Sequence, residues 1–256
     1  MATLAVALVA AAGFVALLIH DSVLFTRPLW VDEWFTVLVA SHASPLDVIA
    51  DLRSGADGGA GLFHLLVWAM GRVAGDITPV SLHAMSLVLV LAALGVVYAT
   101  LRRRFSRDAS IAGVLATGAN SLVVAYAFEG RFYALWLLCT TIFAWSLGAR
   151  SRLRGVIVAA AAVLLVTSHW YGVVTLAVMC AVVLAASAPN WMSGVKRVAP
   201  AAAGLVAFVA ISPLAAGQQA VLTTVSWVAD FRIGQVGPLA SAFWFAWIPV
   251  TALGAM

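Results

Sequence analysis

Long runs of apolar residues, broken by short clusters of charged and turn-forming residues, fill this chain from end to end. Runs bounded in this way predict helices near residues 3–20, 80–100, 109–127, 132–148, 155–170, 172–188, 198–214 and 239–256. Each approaches the ~20 apolar residues that a helix needs to cross the hydrocarbon core of a bilayer. A further apolar stretch, Gly61 to Val73, is too short to cross and reads as a juxtamembrane or re-entrant helix. The expected fold class is an all-α membrane protein. It comprises a single polytopic domain, 1–256, of about eight transmembrane helices, with a long first loop over 21–79 that carries juxtamembrane helices.

Composition strengthens this picture. Of the 256 residues 64% are hydrophobic and only 9% charged, against roughly 25% charged in a soluble domain. The mean hydropathy is +1.07, so the surface is expected to face lipid. The formal net charge of +4 does not mark a nucleic-acid partner, because the basic residues fall in short clusters between apolar runs and form no single patch. Cys139 and Cys180 lie inside apolar runs, where cysteine behaves as a small hydrophobe, and imply neither a disulfide nor a metal site. No Lys or Arg precedes the run from Leu4 to Ile19 and further spans follow it, so it is expected to be a retained helix and not a signal peptide. The last apolar run is cut at Met256 without a polar tail, and a natural C-terminal portion is expected to be missing.

Charge then orients the spans. Alternating them puts Arg102, Arg103, Arg104, Arg107, Arg150, Arg152, Arg154, Lys196 and Arg197 on one side, which the positive-inside rule makes cytoplasmic, together with the N-terminus. The other side receives every carboxylate except Asp108: Asp21, Asp32, Glu33, Asp47, Asp51, Asp57, Asp76, Glu129 and Asp230. Trp30, Trp34, Trp68, Trp170, Trp191 and Trp227 fall in loops or near span ends, as indole rings do at a headgroup boundary.

Four outer segments carry candidate chemistry. Leu29 to Thr36 holds the adjacent carboxylates Asp32 and Glu33 among aromatic residues, where desolvation can raise a carboxylate towards a useful base. The plainer reading is that Asp32 caps a short interfacial helix and Glu33 favours its dipole. Asp57 to His64 is a glycine-rich turn into the short helix, either a close approach to a ligand or a flexible turn. His64 there is either a phosphate or sugar contact or a packed histidine. In Glu129-Gly130-Arg131-Phe132-Tyr133, an arginine can fork onto phosphate oxygens, or serve as an interfacial anchor paired with Glu129. Ser168-His169-Trp170-Tyr171 supplies hydrogen-bonding groups on an aromatic wall or forms part of an interface belt. The topology brings all four to one membrane face. The chain contains no phosphate-binding Walker loop, no zinc-protease helix motif, no nucleophile elbow and no paired-cysteine metal pattern.

These segments, in this order, resemble the GT-C fold glycosyltransferases of the family 39 type, which include protein O-mannosyltransferases and lipid A aminoarabinose transferases. The resemblance rests on Asp32-Glu33 after the first span and on Ala60-Gly61-Leu62-Phe63-His64-Leu65-Leu66, where the family has Pro-Pro-Leu-Tyr-Tyr-Leu-Leu. It rests also on Glu129-Gly130-Arg131-Phe132-Tyr133-Ala134-Leu135 against Glu-Ala-Arg-x-Tyr-x-Leu, and on His169-Trp170-Tyr171-Gly172 against a His-Tyr-Phe-Gly-like segment. His83 stands where the family tends to place an arginine. Family members are usually about twice this length, so the chain resembles their N-terminal membrane module.

The resemblance implies inverting transfer of a sugar, mannose among the options, from a polyprenyl-phosphate sugar to an acceptor hydroxyl on a protein, lipid or glycan. The setting implied is a bacterial cytoplasmic (inner) membrane, with the active site on its outer face. Asp32 would be the general base, Glu33 its support, and Arg131 the cation that stabilises the leaving phosphate. Tyr133, Glu129, His64, His169 and Asp57 would be donor or substrate contacts, with Arg232 a weaker one. No cofactor is expected, although a divalent cation bridging carboxylate and phosphate is compatible with the chemistry. Two rivals stand beside this reading: a lipid or sugar transporter, which would ordinarily carry ionisable residues inside its spans, and a non-catalytic membrane scaffold.

Overall fold

The computed structural model describes residues 26–188 and 190–222, and all regular structure among them is helical. The expected spans 3–20 and 239–256 lie outside the described residues, as do Asp21, Trp227, Asp230 and Arg232. Three short helices come first: α1 (Val31–Ala40), α2 (Pro45–Ser54) and α3 (Leu62–Ala74). The longer apolar part comprises α4 (Pro79–Leu101), α5 (Arg107–Gly118), α6 (Ser121–Phe128), α7 (Tyr133–Leu147), α8 (Arg154–Ser168) and α9 (Tyr171–Ala186). It continues with α10 (Trp191–Val198), a 3-10 turn (Ala199–Ala201) and α11 (Ala202–Leu222).

Local sequence explains the helix boundaries. Ser44 caps α2 by accepting the Asp47 N–H at 3.2 Å, Pro45 occupies the first turn, and Gly55 ends the helix in a left-handed conformation at φ 88°. Thr78 and Ser81 form a reciprocal cap ahead of α4, again with a proline in the first turn. Ser106 caps α5 and Asn120 caps α6. The chain turns into α3 at Gly61, whose φ of +99° few residues with a side chain adopt.

Length separates the apolar helices into two groups. Pro79–Leu101, 23 residues, and the continuous segment Trp191–Val221, 31 residues, are long and apolar enough to cross a membrane. Arg107–Gly118 and Ser121–Phe128 qualify together as a third, bent by 66° at the Ala119–Asn120 break. By contrast α7, α8 and α9, with 15, 15 and 16 residues, end where Gly148, Arg154, His169 and Ser187 interrupt the apolar runs. At 1.5 Å per residue they reach only about 22–24 Å. The stretch Gly61 to Val73, expected as a short helix, is α3.

The core lies where α3, α4, α7 and α8 meet, with Phe63, Val67, Leu82, Leu135, Phe143, Val158 and Leu165 buried together. Helix α4 packs on α7, α7 on α8, and α8 on α11, while α2 packs on the C-terminal half of α11. The chain passes back and forth between the two ends of the bundle, and these ends differ in chemistry. One pole gathers α1, the 57–61 turn, the start of α4, the α6–α7 and α8–α9 connections and the end of α11. The other joins the arginine-rich connections, through Arg103 on the Trp145 carbonyl and Arg154 on the Arg197 carbonyl.

Candidate functional site at the acidic pole

Glu33 is the most heavily bonded side chain of this pole. It sits at the third position of α1, where its carboxylate reaches back to the Trp30 N–H at 2.8 Å. That geometry aims it into the bundle with no exposure at all. There it accepts from Arg27 on both oxygens, at 2.8 and 3.0 Å, from the Gly130 N–H at 2.7 Å and from His83 Nε2 at 3.1 Å. Burial alone would raise its pKa. The bonds from His83, Arg27, Gly130 and Trp30 outweigh burial and hold it at about 2. Gly130 is required here, because a Cβ at that position would overlap Leu82 and lie 3.3 Å from the Glu33 carboxylate.

Asp57 is the second buried anion. One of its oxygens accepts from Arg131 Nη1 at 2.7 Å, His64 Nε2 at 2.8 Å and the Thr36 hydroxyl at 3.1 Å, and the other accepts the Gly58 N–H at 2.7 Å. Burial again pushes the carboxyl up, and the bond from His64 with the charge and bond of Arg131 brings it down to about 2. His64 is wholly buried, with Nδ1 unpartnered among the described residues and its ring against the Gly59 backbone. It therefore holds Asp57 and has no surface with which to touch a ligand.

Arg131 links these anions to α1. Besides Asp57, its Nη1 donates to Thr36 Oγ1 and to the backbone carbonyl of Asp32, both at 2.7 Å. The guanidinium lies 4.6 Å from the centre of the Phe132 ring. Nε and Nη2 form no hydrogen bond among the described residues, so one edge of this cation, 7% exposed, keeps unused donors.

Asp32 and Glu129 differ from the buried pair. Asp32 is exposed, and its carboxylate forms no hydrogen bond among the described residues. Glu129 is half-buried with its backbone carbonyl pinned by the Ser86 hydroxyl at 2.7 Å, and its carboxylate is likewise unbonded among the described residues. Burial raises the Glu129 pKa, the negative charges of Glu33 and Asp32 raise it further, and Arg131 and Arg27 offset this in part. Beside them stands an aromatic wall. Tyr133 stacks on Tyr126 at 5.1 Å, and His169 is ringed by Phe132, Tyr171, Tyr133 and Trp136 at 4.4–5.6 Å. His169 Nδ1 accepts the Tyr171 N–H at 2.8 Å, so that nitrogen carries no proton.

All eight candidate residues other than Arg232 thus gather at one pole, in unequal positions. Asp32, Glu129 and Tyr133 form a more open group over the buried Arg131; Glu33, Asp57 and His64 form its foundation; His169 lies within the aromatic wall. Sequence reasoning missed Arg27, which pairs with Glu33, and Gln218. Gln218 clamps both the N–H and the carbonyl of Gly59, at 3.2 and 2.9 Å, and accepts the Trp170 indole N–H at 2.8 Å. Each belongs to an unremarkable local pattern, Arg27 before a proline and Gln218 in an apolar helix, and nothing nearby in sequence marks either. Among the described residues no group of three His, Cys, Asp or Glu side chains is arranged to hold a metal ion. No protein-family model, curated protein or solved structure matches this chain, so its site is read from its own chemistry.

Proposed function

We propose that this chain is a membrane glycosyltransferase module that moves a sugar from a polyprenyl-phosphate donor to an acceptor hydroxyl on the non-cytoplasmic face. In this reading about eight spans carry the acidic pole on the outer side and the arginine-rich pole in the cytoplasm. Asp32 takes the acceptor proton as the hydroxyl attacks the anomeric carbon; the bond from that carbon to the phosphate oxygen breaks, and the electron pair leaves with the phosphate. The free edge of Arg131 faces that developing charge. Glu33 and Asp57, fully neutralised within the fold, hold α1 and Arg131 in place and touch no substrate.

The observation that carries the reading is the 2.7 Å hydrogen bond from Arg131 to the Asp32 carbonyl. It fixes an unbonded carboxylate and a half-free guanidinium relative to one another across 99 positions of sequence. A base in reach of its proton is worth about 10²–10⁴ in rate. Asp32→Asn in membranes supplied with a labelled polyprenyl-phosphate sugar is expected to lose transfer by that factor with donor binding retained; unchanged transfer would refute the assignment.

One observation favours a second reading, transport of a lipid-linked or free sugar: the 66° break between α5 and α6, since transporters build sites from interrupted helices. Ala119 and Asn120 at the break bring no ionisable group, and the Asn120 oxygen is already spent capping α6. Substrate-dependent uptake that survives Asp32→Asn and responds to Asn120→Leu would select that reading.

A further inference from the structure

Behind the 57–61 turn, a groove with about 380 Å³ of space runs between α2, the start of α3, the outer end of α8 and the middle of α11. That volume falls in the range of small-molecule sites. Its walls are hydrocarbon, chiefly Ile49, Leu65, Ile211 and Leu214, and the polar side chains among its lining are Thr167 and Arg53. The Thr167 hydroxyl spends its proton on the Val163 carbonyl at 2.8 Å and has none to donate to the groove. Arg53, in the last turn of α2, is exposed and forms no hydrogen bond or ion pair among the described residues.

The groove is lined by none of Asp32, Glu129 and Arg131. The turn stands between them, with Gly59 clamped by Gln218 and packed on His64. On the same two helices, α11 exposes Val206 and Val209, at 71% and 69%, and α8 exposes Leu164. Bare aliphatic side chains on a helix long enough to span a bilayer mark a lipid-facing surface, so the groove opens towards hydrocarbon and not water.

We propose that this groove holds one chain of a membrane lipid whose anionic phosphate headgroup is met by Arg53. Apolar walls exclude a polar occupant, and an unpaired guanidinium at the interface forks onto phosphate oxygens with charge-assisted hydrogen bonds. Charge complementarity therefore selects an anionic over a zwitterionic lipid, and the groove supplies what free phosphate lacks. The site does not depend on sugar transfer and stands or falls separately from it.

The test is lipid retention by the full chain, measured by native mass spectrometry after exchange into micelles doped with phosphatidylglycerol or phosphatidylcholine, with inorganic phosphate as a separate arm. The wild type is expected to retain phosphatidylglycerol in preference to phosphatidylcholine and to retain no inorganic phosphate. Arg53→Gln should lower that preference about tenfold. Ala210→Phe and Leu65→Trp, which fill the groove from opposite walls, should abolish retention of both lipids, judged in whichever variant keeps the wild-type unfolding midpoint. An unchanged preference in Arg53→Gln, unchanged retention in a folded groove-filling variant, equal retention of inorganic phosphate, or a dimer that excludes lipid would each overturn the proposal.

Discussion

At the acidic pole, Glu33 and Asp57 draw their donors from α1, α3, α4 and the α6–α7 connection, so that each buried carboxylate stitches together segments far apart in sequence. At the basic pole, among the described residues, the arginines donate to backbone carbonyls, Arg102 to Phe105, Arg103 to Trp145 and Arg154 to Arg197, and Arg103 also lies 4.6 Å from the centre of the Trp145 ring. The first arrangement is an enclosed electrostatic framework whose members depend on one another. The second is a solvated fringe in which each cation can be lost alone. Among the described residues, the buried ion pairs that join separate segments gather at the acidic pole.

The contrast is sharpest within one dipeptide. Glu33→Gln removes the charge that Arg27 and His83 face inside the fold, and a broken buried pair costs about 3–5 kcal/mol. Asp32→Asn, one residue earlier, is expected to change stability by less than about 0.5 kcal/mol, as exposed substitutions do. Unfolding of both variants in detergent micelles checks this, and equal losses would erase the distinction between the foundation and the open group.

Next in size is Gly130→Ala, which presses a methyl group onto Leu82 and the Glu33 carboxylate. Overpacking of this kind costs about 1–3 kcal/mol. Pairing Gly130→Ala with Leu82→Ala should recover part of the loss if steric pressure is its cause, and a double-mutant cycle measures the coupling.

Acid provides a graded version of the same test. Glu33 and Asp57 titrate near 2 in the folded chain, against ordinary values of 4.5 and 3.8. The stability they contribute is complete above those ordinary values and is lost as pH falls towards 2, because the unfolded chain takes up protons first. Glu129 has the opposite sign. Its raised pKa means that ionising it disfavours the fold as pH climbs past 4.5, so Glu129→Gln should be more stable than the parent at neutral pH and equal to it in acid. A stability profile of both proteins from pH 2 to pH 8 shows whether the two signs separate.

The smallest effect belongs to the other pole. Arg104→Gln, at an exposed position, is expected to shift the unfolding midpoint by less than about 0.5 kcal/mol. A loss comparable to that of Glu33→Gln would mean that the basic pole is also a framework.

Much of this architecture was legible before any coordinates, and particular residues show where legibility stopped. Apolar runs that begin after Thr78 and Ser106 announce helices because caps and hydrophobic periodicity act over one or two turns, whereas the run expected as one helix over 109–127 is broken at Ala119–Asn120 and bends by 66°. The sorting of carboxylates from arginines follows from the same runs, since each helix carries its flanking charges to a fixed end. The number of complete spans was less legible. Gly148, Arg154 and Ser187 shorten α7, α8 and α9, and where a helix stops depends on how its last turn packs.

Sequence alone therefore determined an all-helical chain with membrane-length helices and a common pole for Asp32, Glu33, Asp57, His64, Glu129, Arg131 and His169. Only the tertiary structure decided their partners. It buried Glu33 and left Asp32 exposed, turned His64 inward onto Asp57, and brought Gly130 to Glu33 across 97 positions and Arg131 to Asp57 across 74. The reason is the range of the forces. Helix formation and hydropathy are set by neighbours along the chain, whereas a buried charge takes its partner from whichever segment the packing delivers within about 3 Å of it.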